Sequence, residues 1–415
     1  MINYKKYPFL LIFLIPLQLL AQQKDMDYYI EQGLQNSPVL RNYQYQAQST
    51  KIDSQLLRAT FRPQVNSNNT GTYAPTVNGW GYDGALSNLH TFTSLIGVSQ
   101  TVIGRNNINN QYLSIQLQNL GLQNQGKISA QDLRKSITQQ YITTYGDLLQ
   151  IDFNSEIFTL LKAEDIILKR LAEKGVYKQT DYLSFLVNLQ QQESMISQLR
   201  IQYQNDFATL NYITGLNDTA YTVLPAPNIS ITQLPDLQQT IFYEQFKLDS
   251  LKIKVDDQQI DYSYKPKVDL FADGGYNSSF AVTPYKNFGV SAGVSVIVPI
   301  YDGKQRKMKH QKLSISEQNR SAQRDFFTTQ YHQQLDQLAQ QLSLTEQLIQ
   351  QTAIRISYAE GLIKAQKQQL ITGDVHIADY IIAISNYLNA KNIITQNTIN
   401  KWQIINQINY WNQKM

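Results

Sequence analysis

The chain has no cysteine. That excludes disulfides, thiolate metal sites, a cysteine nucleophile and an N-terminal lipid-modified cysteine. Charge is scarce too: Asp, Glu, Lys and Arg make up 16% of the 415 residues, and Gln and Asn supply the polar surface instead. Net charge is +4, with no face basic along its whole length, so nucleic acid is not an expected partner. The four histidines, His90, His310, His332 and His376, are scattered without metal-ligand spacing. No Gly-rich phosphate loop, Gly-x-Ser-x-Gly elbow or paired-carboxylate pocket is present, so neither enzyme activity nor a cofactor or metal is expected. Past the first 21 residues no stretch reaches the roughly eighteen apolar residues of a spanning helix. If the mature chain sits in a membrane, strands must carry it.

What is present begins with residues 1–21, which read as an export signal. Lys5 and Lys6 supply the positive start, Phe9 to Leu20 an apolar core broken by Pro16, and Ala21 a small residue at the cut. The most informative stretch lies much later, from Asn287 to Gly303. Phe288, Val290, Ala292, Val294, Val296, Val298 and Ile300 are apolar at every even position, against mostly small or polar odd positions. A period of two means a strand with two unlike faces. Its length suits a membrane-spanning barrel strand, and a half-buried strand of a soluble sandwich has the same pattern. The sequel decides between them: after Tyr301-Asp302-Gly303 a helical pattern runs on for about 100 Å at 1.5 Å per residue, for which a sandwich has no use.

The order of elements occurs twice. Helix is expected from Asp25 to about Thr60, with Pro38 kinking or restarting it. Strands at about 64–73 and 91–103 follow, then a helix from Arg105 to about Lys174, a tip at about 174–181, and a helix to Thr214. A Pro- and Asn-containing linker spans 215–236. The second half reads helix 237–263, strands at about 267–276 and 287–300, a long helix from Lys304, a tip at about 372–379, and a final helix. Arg62-Pro63-Gln64-Val65 matches Lys265-Pro266-Lys267-Val268. Gly175, Asp181, Tyr182 and Asn188 match Gly373, Asp379, Tyr380 and Asn386 at one common offset. A period of roughly 200 residues is too long for a solenoid unit. It reads as a duplicated helix-strand-strand-helix-helix module, repeats 22–214 and 237–415.

The second long helix keeps a heptad through Leu335, Leu342, Ile349, Ile356, Ile363 and Leu370. Its companions Leu338, Thr345, Thr352, Ala359 and Gln366 are mostly small or polar. Such a repeat gives a narrow coiled seam and a thin helical wall. Strand counting then bears on assembly. Four strands do not close a barrel in lipid, because known single-chain barrels need about eight or more. Three copies supply about twelve strands, the smaller workable number for a conduit, since about eight leave no open interior. Aromatics bracket the strands: Tyr73, Trp80, Tyr82, Phe92, Tyr276, Phe280, Tyr285 and Phe288 at the loop end, and Phe61, Tyr262, Tyr264 and Tyr301 at the helix end. A basic run, Lys304, Arg306, Lys307, Lys309, His310 and Lys312, begins where the last strand stops. Cations at a helix N-terminus run against the helix dipole, so lipid headgroups or an acidic ring of neighbouring chains are candidate partners.

In these junctions, tips and duplicated order the chain resembles the TolC family of outer-membrane efflux proteins, nearly end to end. The resemblance implies a homotrimer with one twelve-stranded barrel in the outer membrane and an α-helical tunnel through the periplasm. It implies a channel of a tripartite efflux or type I secretion system, docked at its closed tip on a periplasmic adaptor (membrane fusion) protein and an inner-membrane RND or ABC-type pump. By the same resemblance Asp379 and Asp181 fall on the tip constriction and its latch, and Gly175, Gly373, Asp374, Lys178 and His376 on the turns and adaptor-docking surface. Two latch positions depart from the family pattern: Val375 stands where a basic residue is expected and Leu370 where a tyrosine is, with Tyr177 or Lys178 able to substitute. From the residues alone, both aspartates also suit the first turn of a helix. The rival readings are a structural coiled-coil envelope protein and a non-efflux porin.

Overall fold

The computed structural model describes residues 24–75, 77–78, 80–81, 90–218, 222–280 and 283–414. The export-signal expectation and Tyr82 lie outside these residues. Seven α-helices and four strands are present among them, in the order α1 (Met26–Asn36), α2 (Pro38–Thr60), β1 (Gln64–Tyr73), β2 (His90–Val102), α3 (Arg105–Glu173), α4 (Gln179–Thr214), α5 (Ile241–Ser263), β3 (Lys267–Ser278), β4 (Phe288–Ile297), α6 (Gln305–Thr372) and α7 (Ile377–Asn409). Pro38 restarts the helix, as expected: α1 stops at Asn36, and Ser37 is extended, the conformation a following proline favours. Pro38 occupies the first turn of α2, where its missing N–H costs nothing, and Ser37 caps that helix by accepting from the Leu40 N–H.

α3 and α6 contain 69 and 68 residues, hence about 100 Å each. Both fold back as hairpins, α3 on α4 and α6 on α7. The heptad of α6 is the buried seam: Leu342, Ile356, Ile363 and Leu370 are covered, together with Leu338, Thr345 and Thr352. α3 carries a second, polar heptad. Asn110, Leu117, Asn124, Gln131 and Thr138 are all buried. Asn110 Nδ2 donates to Val255 O and Gln259 Oε1 at 3.0 and 2.9 Å, and Asn124 Nδ2 to Ile241 O and Gln245 Oε1 at 3.0 and 3.1 Å. Gln131 Nε2 reaches Tyr410 O at 3.0 Å. Short amides at these positions fasten α5 and the C-terminus to α3 through backbone carbonyls, so their own polar atoms are satisfied in the packed seam.

Midway, the linker wraps the C-terminus. Thr232 N and Oγ1 donate to Asn409 Oδ1, and Asn409 Nδ2 donates to Ser230 O. Leu237, Ile241, Phe242, Tyr331 and Trp411 form an apolar cluster beside this wrap. A helix expected unbroken from Leu237 is interrupted at Thr240, because Thr240 Oγ1 accepts from the Tyr243 N–H and starts α5 afresh after one 3-10 turn.

The strands form one antiparallel sheet in the order β1-β2-β3-β4. The expected span 287–300 is shorter in the structure. β4 ends at Ile297, opposite Lys267, the first residue of β3. Val298, Pro299 and Ile300 have no partner strand in this sheet, and Pro299 has no N–H to offer one.

Candidate functional site

Register fixes what each face of the sheet presents. The pairs Val268↔Val296, Leu270↔Val294, Ala272↔Ala292, Gly274↔Val290 and Tyr276↔Phe288 lie on one face. Ile96, Val98 and Val102 of β2 continue that face, opposite Gly274, Ala272 and Val268. Val290 is 91% exposed and Phe288 72%. An apolar surface of this extent, left bare by the folded chain, marks an apolar surrounding or a partner. Phe92, Tyr276 and Phe288 cluster at its loop end, with ring centroids 6.1 and 5.1 Å apart. Val298, assigned to the same surface from its spacing, lies just past the ladder and is 54% exposed.

The other face is polar and cross-linked. Thr101 Oγ1 donates to Asp269 Oδ1 at 2.6 Å, Ser291 Oγ to Asp273 Oδ1 at 2.9 Å, and Thr93 Oγ1 to Asn277 Oδ1 at 3.2 Å. Phe271 is an exception that covers Gly293, where an added Cβ would lie 2.5 Å from its ring. On the apolar face β1 is the weak member, with Ser67 and Asn69. Their polar atoms are still paired, Ser94 Oγ to Asn69 Oδ1 at 2.6 Å and Asn69 Nδ2 to Ser67 Oγ at 3.0 Å.

At the far end of the helices the two hairpin tips come together. Gly175 and Gly373 are left-handed, at φ 75° and 83°. Each closes its helix in the same way: the Val176 N–H donates to Leu171 O and the Asp374 N–H to Gln369 O, both at 2.9 Å. Val176 packs on Gly373, whose added Cβ would meet it at 3.2 Å. Tyr177 Oη is within hydrogen-bond reach of both Leu370 O and Val375 O, at 2.9 and 2.8 Å. Burial, then Asp374, raises its phenol pKa. Tyr177 bridges the two hairpins through the backbone carbonyls of Leu370 and Val375, the two positions that depart from the family pattern. Lys178 and His376 precede α4 and α7 and are exposed, without capping either helix through a side chain.

Asp181 and Asp379 stand in the first turns of α4 and α7. Asp379 is exposed and Asp181 half-buried. Neither carboxylate has a hydrogen bond or ion pair among the described residues. Asp374 differs, since its Oδ2 accepts from Thr372 Oγ1 at 2.6 Å. The tip is stiffened from within by a cluster that includes Leu168, Phe185, Leu370, Ile377 and Tyr380.

A buried charge inside that cluster is not among the residues expected from the sequence. Glu164 is 0% exposed, and Lys367 Nζ of α6 lies 2.6 Å from its Oε1. Among the described residues no donor is aligned for a directed hydrogen bond on either carboxylate oxygen, so the contact is ionic. A signal existed: Ile157, Leu161, Glu164 and Leu168 fall at core spacing along α3, with one acid among them.

At the helix–sheet junction the basic run divides. Arg306 pairs with Asp261 at 2.7 Å, and His310 lies 2.6 Å from Asp257 and 3.1 Å from Asp261. The Asp257 hydrogen bond outweighs desolvation and, with Asp261, holds the imidazole above its ordinary range. Lys304, Lys307 and Lys309 remain exposed, without ion pairs among the described residues. Among those residues no group of acids and histidines is arranged to hold a metal, and no helix is long and apolar enough to cross a membrane.

No family model matches the chain, and no curated protein does. Solved structures do match. The outer membrane protein VceC of Vibrio cholerae aligns at TM-score 0.77 and 12% identity, over 94% of this chain and 96% of that one. The CmeC outer membrane channel of Campylobacter jejuni aligns at 0.73 and 12%, over 94% and 86%. The MtrE outer membrane channel of Neisseria gonorrhoeae, in its open state, aligns at 0.73 and 10%, over 94% and 89%. Two of these are outer membrane channels and the third is an outer membrane protein, and the chain has their fold along nearly its whole length.

Proposed function

We propose that the chain is the outer-membrane channel of a tripartite efflux system, working as a homotrimer. Each copy contributes four strands to one twelve-stranded barrel and four long helices to a tunnel across the periplasm. An adaptor protein docks on the tips around Gly175, Lys178, Gly373, Asp374 and His376, and an RND or ABC-type pump in the inner membrane feeds it. Type I secretion is the related alternative. The observation that carries the reading is the sheet: one face mostly apolar and bare, the other mostly polar, both edges unpaired among the described residues, all continuous with helices about 100 Å long. An unpaired edge in lipid costs several kcal/mol per backbone group, so copies must close the sheet together. The shared fold of known outer-membrane channels supports the same placement.

Asp379 is the constriction residue in this reading, with Asp181 beside it. Three exposed carboxylates brought to one axis repel each other and favour cations. Single-channel recording in planar bilayers tests both levels. Wild-type chain is expected to conduct with cation selectivity, and Asp379→Ala to lose most of that selectivity and to conduct more. Absence of conductance in the wild type would overturn the channel. Identical selectivity and conductance in the variant would remove Asp379 from the constriction and leave the channel standing.

A further inference from the structure

The four crossings between sheet and helices lie at one end of the sheet, because the register pairs Gln64 with Ser99, Val102 with Val268, and Lys267 with Ile297. Every crossing carries an exposed cation: Arg62 between α2 and β1, Arg105 at the start of α3, Lys265 between α5 and β3, and Lys304 before α6. Lys307 and Lys309 add two more within the first turns of α6. None of the six is in an ion pair among the described residues. The nearby carboxylates are already engaged. Asp261 is held by Arg306 and His310, and Asp302 accepts from the Arg306 backbone N–H at 2.7 Å and is held low by a Tyr264 hydrogen bond.

Aromatic rings sit among these cations. Lys265 lies over Tyr262 at 4.6 Å, and Lys309 and Arg306 over Tyr264 at 5.5 and 5.6 Å. Described loop residues at the opposite end of the sheet hold one lysine, Lys286. The charge is therefore lopsided along the sheet. It gathers just beyond the apolar face, where that face gives way to helix.

We propose that this belt binds the anionic phosphate headgroups of the membrane leaflet nearest the helices, and so sets how deep the sheet sits. The inference rests on the membrane reading above. Six unpaired cations at one level would repel each other if left bare, and the dipoles of α3 and α6 add to that cost at Arg105 and Lys304. Headgroup phosphates at the edge of the hydrocarbon remove it, at the same height as rings that suit the interface. An acidic neighbouring copy is the rival occupant.

The full chain, purified in detergent, is reconstituted into phosphatidylcholine bilayers with and without phosphatidylglycerol. Discs are then cut out with a polymer and their lipids weighed against the bulk mixture. Wild-type discs are expected to be enriched severalfold in phosphatidylglycerol, and high salt to reduce the enrichment. The variant Lys304→Gln/Lys307→Gln/Lys309→Gln is expected to insert and trimerise normally with enrichment near bulk. Arg62→Gln/Lys265→Gln, which leaves α6 untouched, is expected to lower it by a smaller factor. Wild type that inserts and conducts without enrichment, or variants that keep it, would overturn the belt alone. Variants that fall apart into monomers while lipid composition holds would assign the cations to the neighbouring copy and overturn it too. Wild type that enters neither bilayer would sink the membrane reading, and this inference with it.

Discussion

Glu164 sits in the tip cluster with no water contact, and Lys367, which neutralises it, is 38% exposed. Removing one member of a buried pair leaves an uncompensated charge, whereas replacing both with apolar groups is close to neutral. Lys367→Met is therefore expected to cost on the order of 3 kcal/mol, and Glu164→Leu/Lys367→Met to recover most of it. Denaturant midpoints of the two variants check this, and a double variant no better than the single one would show that the pair is not coupled. Legibility at this scale follows distance in the chain. Asp181 and Asp379 stood out because each follows its glycine by the same short interval. Glu164 was hidden among ordinary helix charges, visible only if the core phase of α3 is already known. The Tyr177 bridge was readable only as one of two candidates, since its acceptors lie nearly two hundred residues away and backbone carbonyls leave no mark on sequence.

Elements were mostly legible, and the departures have local causes. Alternation marked β4, but pairing ended it early, because strand length depends on the partner as much as on the residues. β1 has poor alternation and still pairs along its whole length with β2, from Gln64↔Ser99 to Tyr73↔His90. Backbone hydrogen bonds and the paired Ser94, Asn69 and Ser67 side chains substitute for apolar patterning there. Within β3 two adjacent glycines are unequal. Gly275, at φ 154°, has Ser94 O only 2.1 Å from where a Cβ would be, whereas Gly274 would meet the movable Val290 side chain at 3.2 Å. Gly275→Ala is expected to push β2 and β3 apart at a cost of roughly 3 kcal/mol or more, and Gly274→Ala to cost about 1 kcal/mol or less. The yield of heat-resistant, detergent-extracted protein reads the difference, and equal yields would contradict the close approach.

For the assembled protein, the open question of geometry is what closes the sheet. β1 and β4 are its two edges, and the absence of native cysteine makes that closure testable without background. A cysteine is placed on the polar face of each edge, Asn68→Cys with Ser291→Cys, and β4 positions two residues to either side are scanned to find the register. Oxidation is expected to give a covalent trimer from at least one pair. Cross-links confined to single chains, or none at any register, would show that the edges do not meet between copies. Element types, the doubled order and the tip glycines are legible in the residues alone, because hydrophobic period and turn chemistry are local properties of adjacent residues. Which strands pair, how far the apolar face extends across the sheet, and how Tyr177 and the Glu164–Lys367 pair hold the hairpins together emerge only in the folded chain. Those depend on register and helix phase between segments far apart in the chain, and no local pattern encodes them.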